Sequence, residues 1–116
     1  QCQEQGICVQ GGTTGAEFLV VGPAETFVYL GLRGGKAVYA GVTNNLARRG
    51  AEHAERFAIE ALTPQAVTRG QGRAIEQALL LRNPQFENKI NSISPLRSFY
   101  NDAVRWGEAW LKSHGF

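Results

Sequence analysis

Apolar and polar positions alternate along two stretches of the chain, 26–32 (TFVYLGL) and 36–43 (KAVYAGVT). Period-two alternation rich in Val, Leu and Tyr predicts two strands, and Arg33-Gly34-Gly35 between them predicts a hairpin turn. Residues 44–54 (NNLARRGAEHA) change to helical spacing, with Asn44 or Thr43 as the expected cap. A third strand is expected over 57–62, ended by Thr63-Pro64, and a second helix from Gly72 to Asn83, bounded by glycine before and Pro84 after. The polar stretch 85–98 predicts a loop, and 101–112 a third helix with Gly115 beyond its end. Residues 1–25 form a lead-in broken by glycines, in which only 17–21 could make a short strand. The order predicts one α+β domain over 26–116, a small three-stranded antiparallel sheet flanked by helices.

The faces of these elements carry the chemistry. Each hairpin strand has an aliphatic face and a face with a tyrosine followed two residues later by glycine: Tyr29 with Gly31, and Tyr39 with Gly41. A two-residue turn would send the tyrosines to opposite faces, whereas a three-residue loop with Gly35 left-handed sets Tyr29 directly opposite Tyr39. One aliphatic face needs one register, so the three-residue loop is expected. In the next helix Leu46, Arg49, Gly50 and His53 share a stripe, which puts Arg49 and His53 where apolar residues are usual. Arg48 and Glu52 are expected to form a solvent ion pair on another face. The stripe of the second helix holds a single carboxylate, Glu76, among Gly72, Ile75, Leu79, Leu80 and Asn83. A carboxylate in that setting needs a partner, a cation or a metal. On the third helix, Ala103, Trp106, Gly107, Trp110 and Leu111 are read as core packing.

Composition narrows the class. The chain has 116 residues, 43% apolar and 19% charged, enough for one core and unlike a disordered tail. Apolar runs are only a few residues long, such as 18–21, so no membrane segment is expected, nor a secretory signal. The chain contains no Met, which predicts a processed product or, in preference, a domain excised from a larger parent polypeptide. Its formal charge of +2 is uneven: residues 1–26 hold three Glu and no Lys or Arg. Nine of the twelve basic residues are Arg, whose planar fork suits the phosphates of a polyanion. Cys2 and Cys8 lack the further ligands of a zinc site; free thiols are expected, or a local disulfide in an oxidising compartment.

Val28-Tyr29-Leu30, Tyr39-Ala40-Gly41, the run Asn45-Leu46-Ala47-Arg48-Arg49 and His53 together resemble the GIY-YIG nuclease superfamily, across residues 27–91. The chain departs from the pattern at Phe27, where the first motif has glycine, and at the isoleucines, replaced by other apolar residues. The resemblance implies a metal-dependent, largely sequence-independent DNA endonuclease with Tyr29, Tyr39, Arg49, His53, Glu76 and Asn88 as its catalytic set. Asn91 rivals Asn88 as the closing asparagine. Glu76 would hold one Mg²⁺ (or Mn²⁺) at the leaving oxygen, and Arg49 and Lys36 would bind substrate phosphate. Tyr29 or Tyr39 would order the attacking water or take its proton, with His53 as the alternative base. A phenol with a pKa of about 10 is a weak base at neutral pH, so nearby positive charge is expected to lower it.

The chain carries no DNA-reading module, so contacts are expected mostly to phosphate. Residues 91–116 look like the ends of toxin domains in bacterial polymorphic (Rhs or type VI effector-like) toxins. That implies secretion or delivery into the cytoplasm of a target cell, and an acidic immunity protein covering or blocking the groove. The alternatives are a structure-selective repair nuclease module and a non-catalytic nucleic-acid-binding domain of the same fold.

Overall fold

A computed structural model describes residues 14–88 and 90–116; Cys2 and Cys8 lie outside the described residues. Its elements run α1 Gly15–Val20, β1 Ala24–Arg33, β2 Lys36–Thr43, α2 Leu46–His53, β3 Ala58–Ala61, β4 Val67–Thr68, α3 Arg69–Arg82 and α4 Tyr100–Ser113. The fold is α+β, an open antiparallel sheet in the order β2-β1-β3 flanked by helices. The two-residue β4 adds a pairing at the start of β1 that the sequence pattern does not foretell.

The hairpin turn differs from expectation. Arg33 pairs with Lys36, so the loop is the two residues Gly34-Gly35, with φ of 62° and 79°. A tight turn of this kind requires φ > 0 at both central residues, and consecutive glycines supply that without strain. Taken alone, this turn would separate the tyrosines. However, the register slips between Gly31 and Leu32: Leu32 pairs with Ala37 but Gly31 pairs with Tyr39, leaving Val38 as an extra residue in β2. This bulge restores the parity that the short turn removes. Tyr29 now faces Gly41 and Tyr39 faces Gly31, so the tyrosines lie diagonally on one face with ring centroids 6.3 Å apart.

Residues 17–21 do not form a strand. Thr14 accepts from the Glu17 backbone N–H and the Glu17 carboxylate accepts from that of Thr14, a capping box that starts α1. This short helix packs on α3 and α4, with Leu19 buried and Phe18 stacked on Phe99 at 4.3 Å. The cap of α2 is Asn45, whose side chain accepts from the Arg48 N–H, while Thr43 bonds the Asn45 backbone.

α3 is the central helix. Ile75, Ala78 and Leu79 join Val28, Ala40, Leu62 and Leu111 in one buried cluster. Ala74 joins Leu19, Ile93, Phe99 and Ala103 in a second. Trp106 and Trp110 are half-buried against this core. Gln77 is fully buried: its Oε1 accepts from the N–H groups of Ser92 and Ile93, and its Nε2 donates to Asn91. One helix residue thereby fixes the path of the loop after α3. Among the described residues no helix is long and apolar enough to cross a membrane.

α4 approaches α3 at Gly107, where an added Cβ would stand 2.3 Å from the Ala74 carbonyl oxygen. Gly107→Ala should therefore force the helices apart and destabilise the protein by about 1–3 kcal/mol. At Gly50 an added Cβ would meet Ile59 at an ordinary 3.5 Å. Gly50→Ala should stabilise by up to about 1 kcal/mol through helix propensity. Urea unfolding midpoints that moved in the same direction in both variants would refute this packing.

Candidate active site

Tyr29 and Phe57 take their places over the glycines of the hairpin. A Cβ on Gly41 would stand 2.4 Å from the Tyr29 ring, and one on Gly31 would stand 2.7 Å from Phe57. Each glycine thus leaves room for an aromatic ring to lie over the strand. Tyr39 stacks on Phe57 at 5.1 Å, and His53, from the last turn of α2, lies 5.6 Å from Tyr39 and 4.8 Å from Phe57. The Tyr29 hydroxyl and His53 Nε2 are 3.3 Å apart.

Five residues expected at a site, Tyr29, Tyr39, Arg49, Glu76 and Asn88, line one cavity of about 560 Å³. His53 adjoins it through Tyr29. Lys36 does not line it; it is exposed at the turn end of β2. Asn88 commits its carboxamide to one peptide, accepting from the Ala40 N–H at 3.1 Å and donating to the Ala40 carbonyl at 2.7 Å. Asn91 also lines the cavity, and its side chain is held by Gln77. Both asparagines fasten the loop that forms the cavity wall.

Sequence reasoning misses three arginines of the same cavity: Arg56, Arg69 and Arg73. Of these Arg73 carries a signal, since it stands three residues before Glu76 on a helix. Its guanidinium binds the Ser92 carbonyl, with Nε at 2.9 Å. Arg56 lies over the Tyr39 and Phe57 rings at 5.5 and 4.9 Å, which only the tertiary fold arranges.

Burial and neighbours set the protonation states. Glu76 is 9% exposed, and burial pushes its carboxyl above the usual carboxylate range, with a Ser92 hydrogen bond and the Arg73 charge opposing. The Tyr29 hydroxyl is pushed up to about 12, chiefly by burial and then by Tyr39, with Glu76 adding and Arg49 opposing. The expected lowering of this phenol is thus reversed, because burial outweighs the Arg49 charge. His53 is held below its ordinary value by burial and by Arg56 and Arg49, against Glu52, and is neutral at pH 7. Arg49 bonds Glu52 at 2.9 Å, closer than the 4.0 Å between Arg48 and Glu52. Its Nε is buried with no hydrogen-bond partner among the described residues, an unmet donor on the wall of the cavity.

A divalent cation fits the donor set. Glu76 is a buried carboxylate whose desolvation Arg73 and Ser92 offset only in part, and a cation would offset the remainder. No group of three or more His, Cys, Asp and Glu gathers among the described residues. An ion on Glu76 would therefore complete its shell with water and substrate phosphate oxygens, as Mg²⁺ commonly does.

The raised Glu76 value has a definite sign. Its contribution to stability is present below the ordinary carboxylate range and is lost as pH rises through the raised value. In metal-free buffer Glu76→Gln should melt above wild type at pH 7 and level with it at pH 4. A variant melting below wild type at pH 7 would show that the ionised carboxylate is well compensated. In an alkaline ultraviolet titration one of the three tyrosines should ionise near pH 12. Tyr29→Phe should remove that late step, and its persistence would overturn the burial argument. Protein-family models, curated proteins and solved structures offer no match to the chain.

Proposed function

We propose that the chain is a metal-dependent endonuclease of the GIY-YIG kind, hydrolysing DNA phosphodiesters with little regard to sequence. The observation that carries this reading is the convergence of Glu76, four arginines and Tyr29 on one cavity, with His53 bonded to the Tyr29 hydroxyl beside it. A phosphodiester carries negative charge that grows on its equatorial oxygens during attack, and fixed arginines in a partly buried site stabilise that charge. Arg49 takes this role most directly, because its buried Nε lacks an acceptor that a phosphate oxygen would provide.

Proton transfer follows from the order of proton affinities. Tyr29 remains a phenol at neutral pH, whereas neutral His53 can accept a proton at Nε2. The phenol oxygen orients the attacking water and accepts its proton as the Tyr29 proton passes to His53. Glu76 is the residue that would hold a divalent ion, which when bound would supply positive charge to stabilise the leaving group. Asn88 and Asn91 act through the loop they hold and not by touching the reacting atoms.

As a polymorphic-toxin domain the chain would be delivered into the cytoplasm of a target cell. An acidic immunity protein would restrain it by placing carboxylates where the phosphates bind, a role the arginine-lined cavity suits.

With Mg²⁺ the purified chain should nick and then linearise plasmid DNA, and chelation should abolish this. Arg49→Ala and Glu76→Gln should each lower the cleavage rate by roughly 10²–10³-fold. Cleavage that persists in chelator, or full activity of Glu76→Gln, would remove the metal from the mechanism; a folded wild-type chain inert towards DNA would refute the reading itself.

A further inference from the structure

Other cavities share walls with the proposed active site, and charge distinguishes two of them. On one side a cavity of about 650 Å³ shares Arg73 and Asn88, and its further walls include Leu80, Pro84, Phe86 and Pro95, which bring no charge. On the other side a cavity of about 670 Å³ shares Val42, Arg49 and Arg69 and adds Arg48, with Glu25 as the sole acidic residue among its described walls. Arg49 and Arg69 therefore stand where two cavities become one trough. Both spaces fall in the range of about 300–1,000 Å³ that holds small ligands.

Arg69 is exposed at the first position of α3, and no ion pair among the described residues engages it. The one ion pair of Arg48 among the described residues, to Glu52, is at 4.0 Å between exposed side chains, a separation that adds little stability. Neither guanidinium has a structural task that would hold it on this wall. Arg82 shows the contrast, since it forms a closely paired contact with Glu108 that joins α3 to α4.

We propose that the second cavity is a flanking-phosphate subsite. The substrate strand runs from the reacting phosphate at Arg49 along the trough and sets its neighbouring backbone phosphates on Arg69 and Arg48. The substrate is accordingly a strand several nucleotides long, not an isolated dinucleotide diester. This inference rests on the nuclease reading for the position of the reacting phosphate, but its test separates the two.

Binding of a labelled single strand of about 12 nucleotides, within the usual span of such grooves, is measured by fluorescence anisotropy in chelator across a salt series. Arg48→Gln and Arg69→Gln should each weaken binding several-fold and reduce the slope of log affinity against log salt by about one phosphate's share. Arg105→Gln, which removes an exposed partner of Asp102 on α4, should leave the slope unchanged. Competition by a dinucleotide should be the same for wild type and for the Arg48/Arg69 double variant. Unaltered slopes in both single variants, or no binding by wild type, would overturn the subsite. If wild type binds with the Arg48- and Arg69-dependent slope yet never cleaves DNA in Mg²⁺, the subsite stands and the nuclease reading fails. If wild type cleaves DNA but its salt slope ignores both arginines, the nuclease reading stands and the subsite fails.

Discussion

Everything about the site depends on the parity of one hairpin. Val28, Leu30, Ala40 and Val42 belong to the apolar cluster that meets α3, so the two strands must turn their aliphatic sides the same way. The Gly34-Gly35 turn is too short to allow this by itself, and the extra residue at Val38 corrects it. The bulge also has a second consequence. Val38 has no partner on β1, and its carbonyl accepts the Glu87 N–H at 2.8 Å. Two residues further along β2, Asn88 closes on both polar groups of Ala40. The outer edge of β2 is thus capped by the loop that forms the far wall of the cavity, which also blunts an otherwise open sheet edge.

A second bracket holds the same loop from the hairpin side. The Glu87 carboxylate bonds Arg33 and approaches Arg56 at 3.8 Å, while the Arg33 Nε donates to the Arg56 carbonyl. Arg56 is drawn towards the cavity by this carboxylate and by the faces of Tyr39 and Phe57. Exposed ion pairs of this kind contribute little to stability singly. Their effect here is positional: one carboxylate ties the hairpin, the turn after α2 and the loop after α3 together.

Much of this is legible in the sequence, and the reasons for the misses are physical. The alternation in 26–32 and 36–43 marks the hairpin because each side chain choice is dictated by one buried face. Tyr29, Tyr39, Arg49 and Glu76 stand out because each interrupts an apolar or small-residue pattern that would otherwise be regular. The turn is not legible, because a bulge and a longer loop have the same effect on parity and no local signal separates them. For α1, the T-x-x-E signature at Thr14 and Glu17 is present, but the apolar run at 18–21 reads equally as a strand. Arg56 and Arg69 carry no local mark at all. Their roles come from where β3, β4 and α3 set down the chain, and exposed arginines look alike until the fold gives them neighbours.

α3 shows how stability and chemistry are divided between adjacent residues. Gln77 and Glu76 are both buried polar side chains in the middle of one helix, yet their surroundings differ. Gln77 has every strong partner it needs, bonding the loop at Asn91, Ser92 and Ile93, so its burial costs little and it anchors that loop. Glu76 is compensated only in part, and burial holds its carboxyl above its ordinary value. The rotation of about 100° between successive helix residues lets one face the closed interior and the other the cavity. Because Gln77 fixes the Ser92 backbone, it also fixes the group that bonds Glu76 and the carbonyl that holds Arg73. The partly compensated carboxylate is therefore held in place by a fully compensated neighbour, and the burden of rigidity falls on Gln77, not on the residue that faces the cavity. A buried carboxylate whose desolvation is only partly offset is destabilising on its own, and it persists because the surrounding bonds leave it no other position.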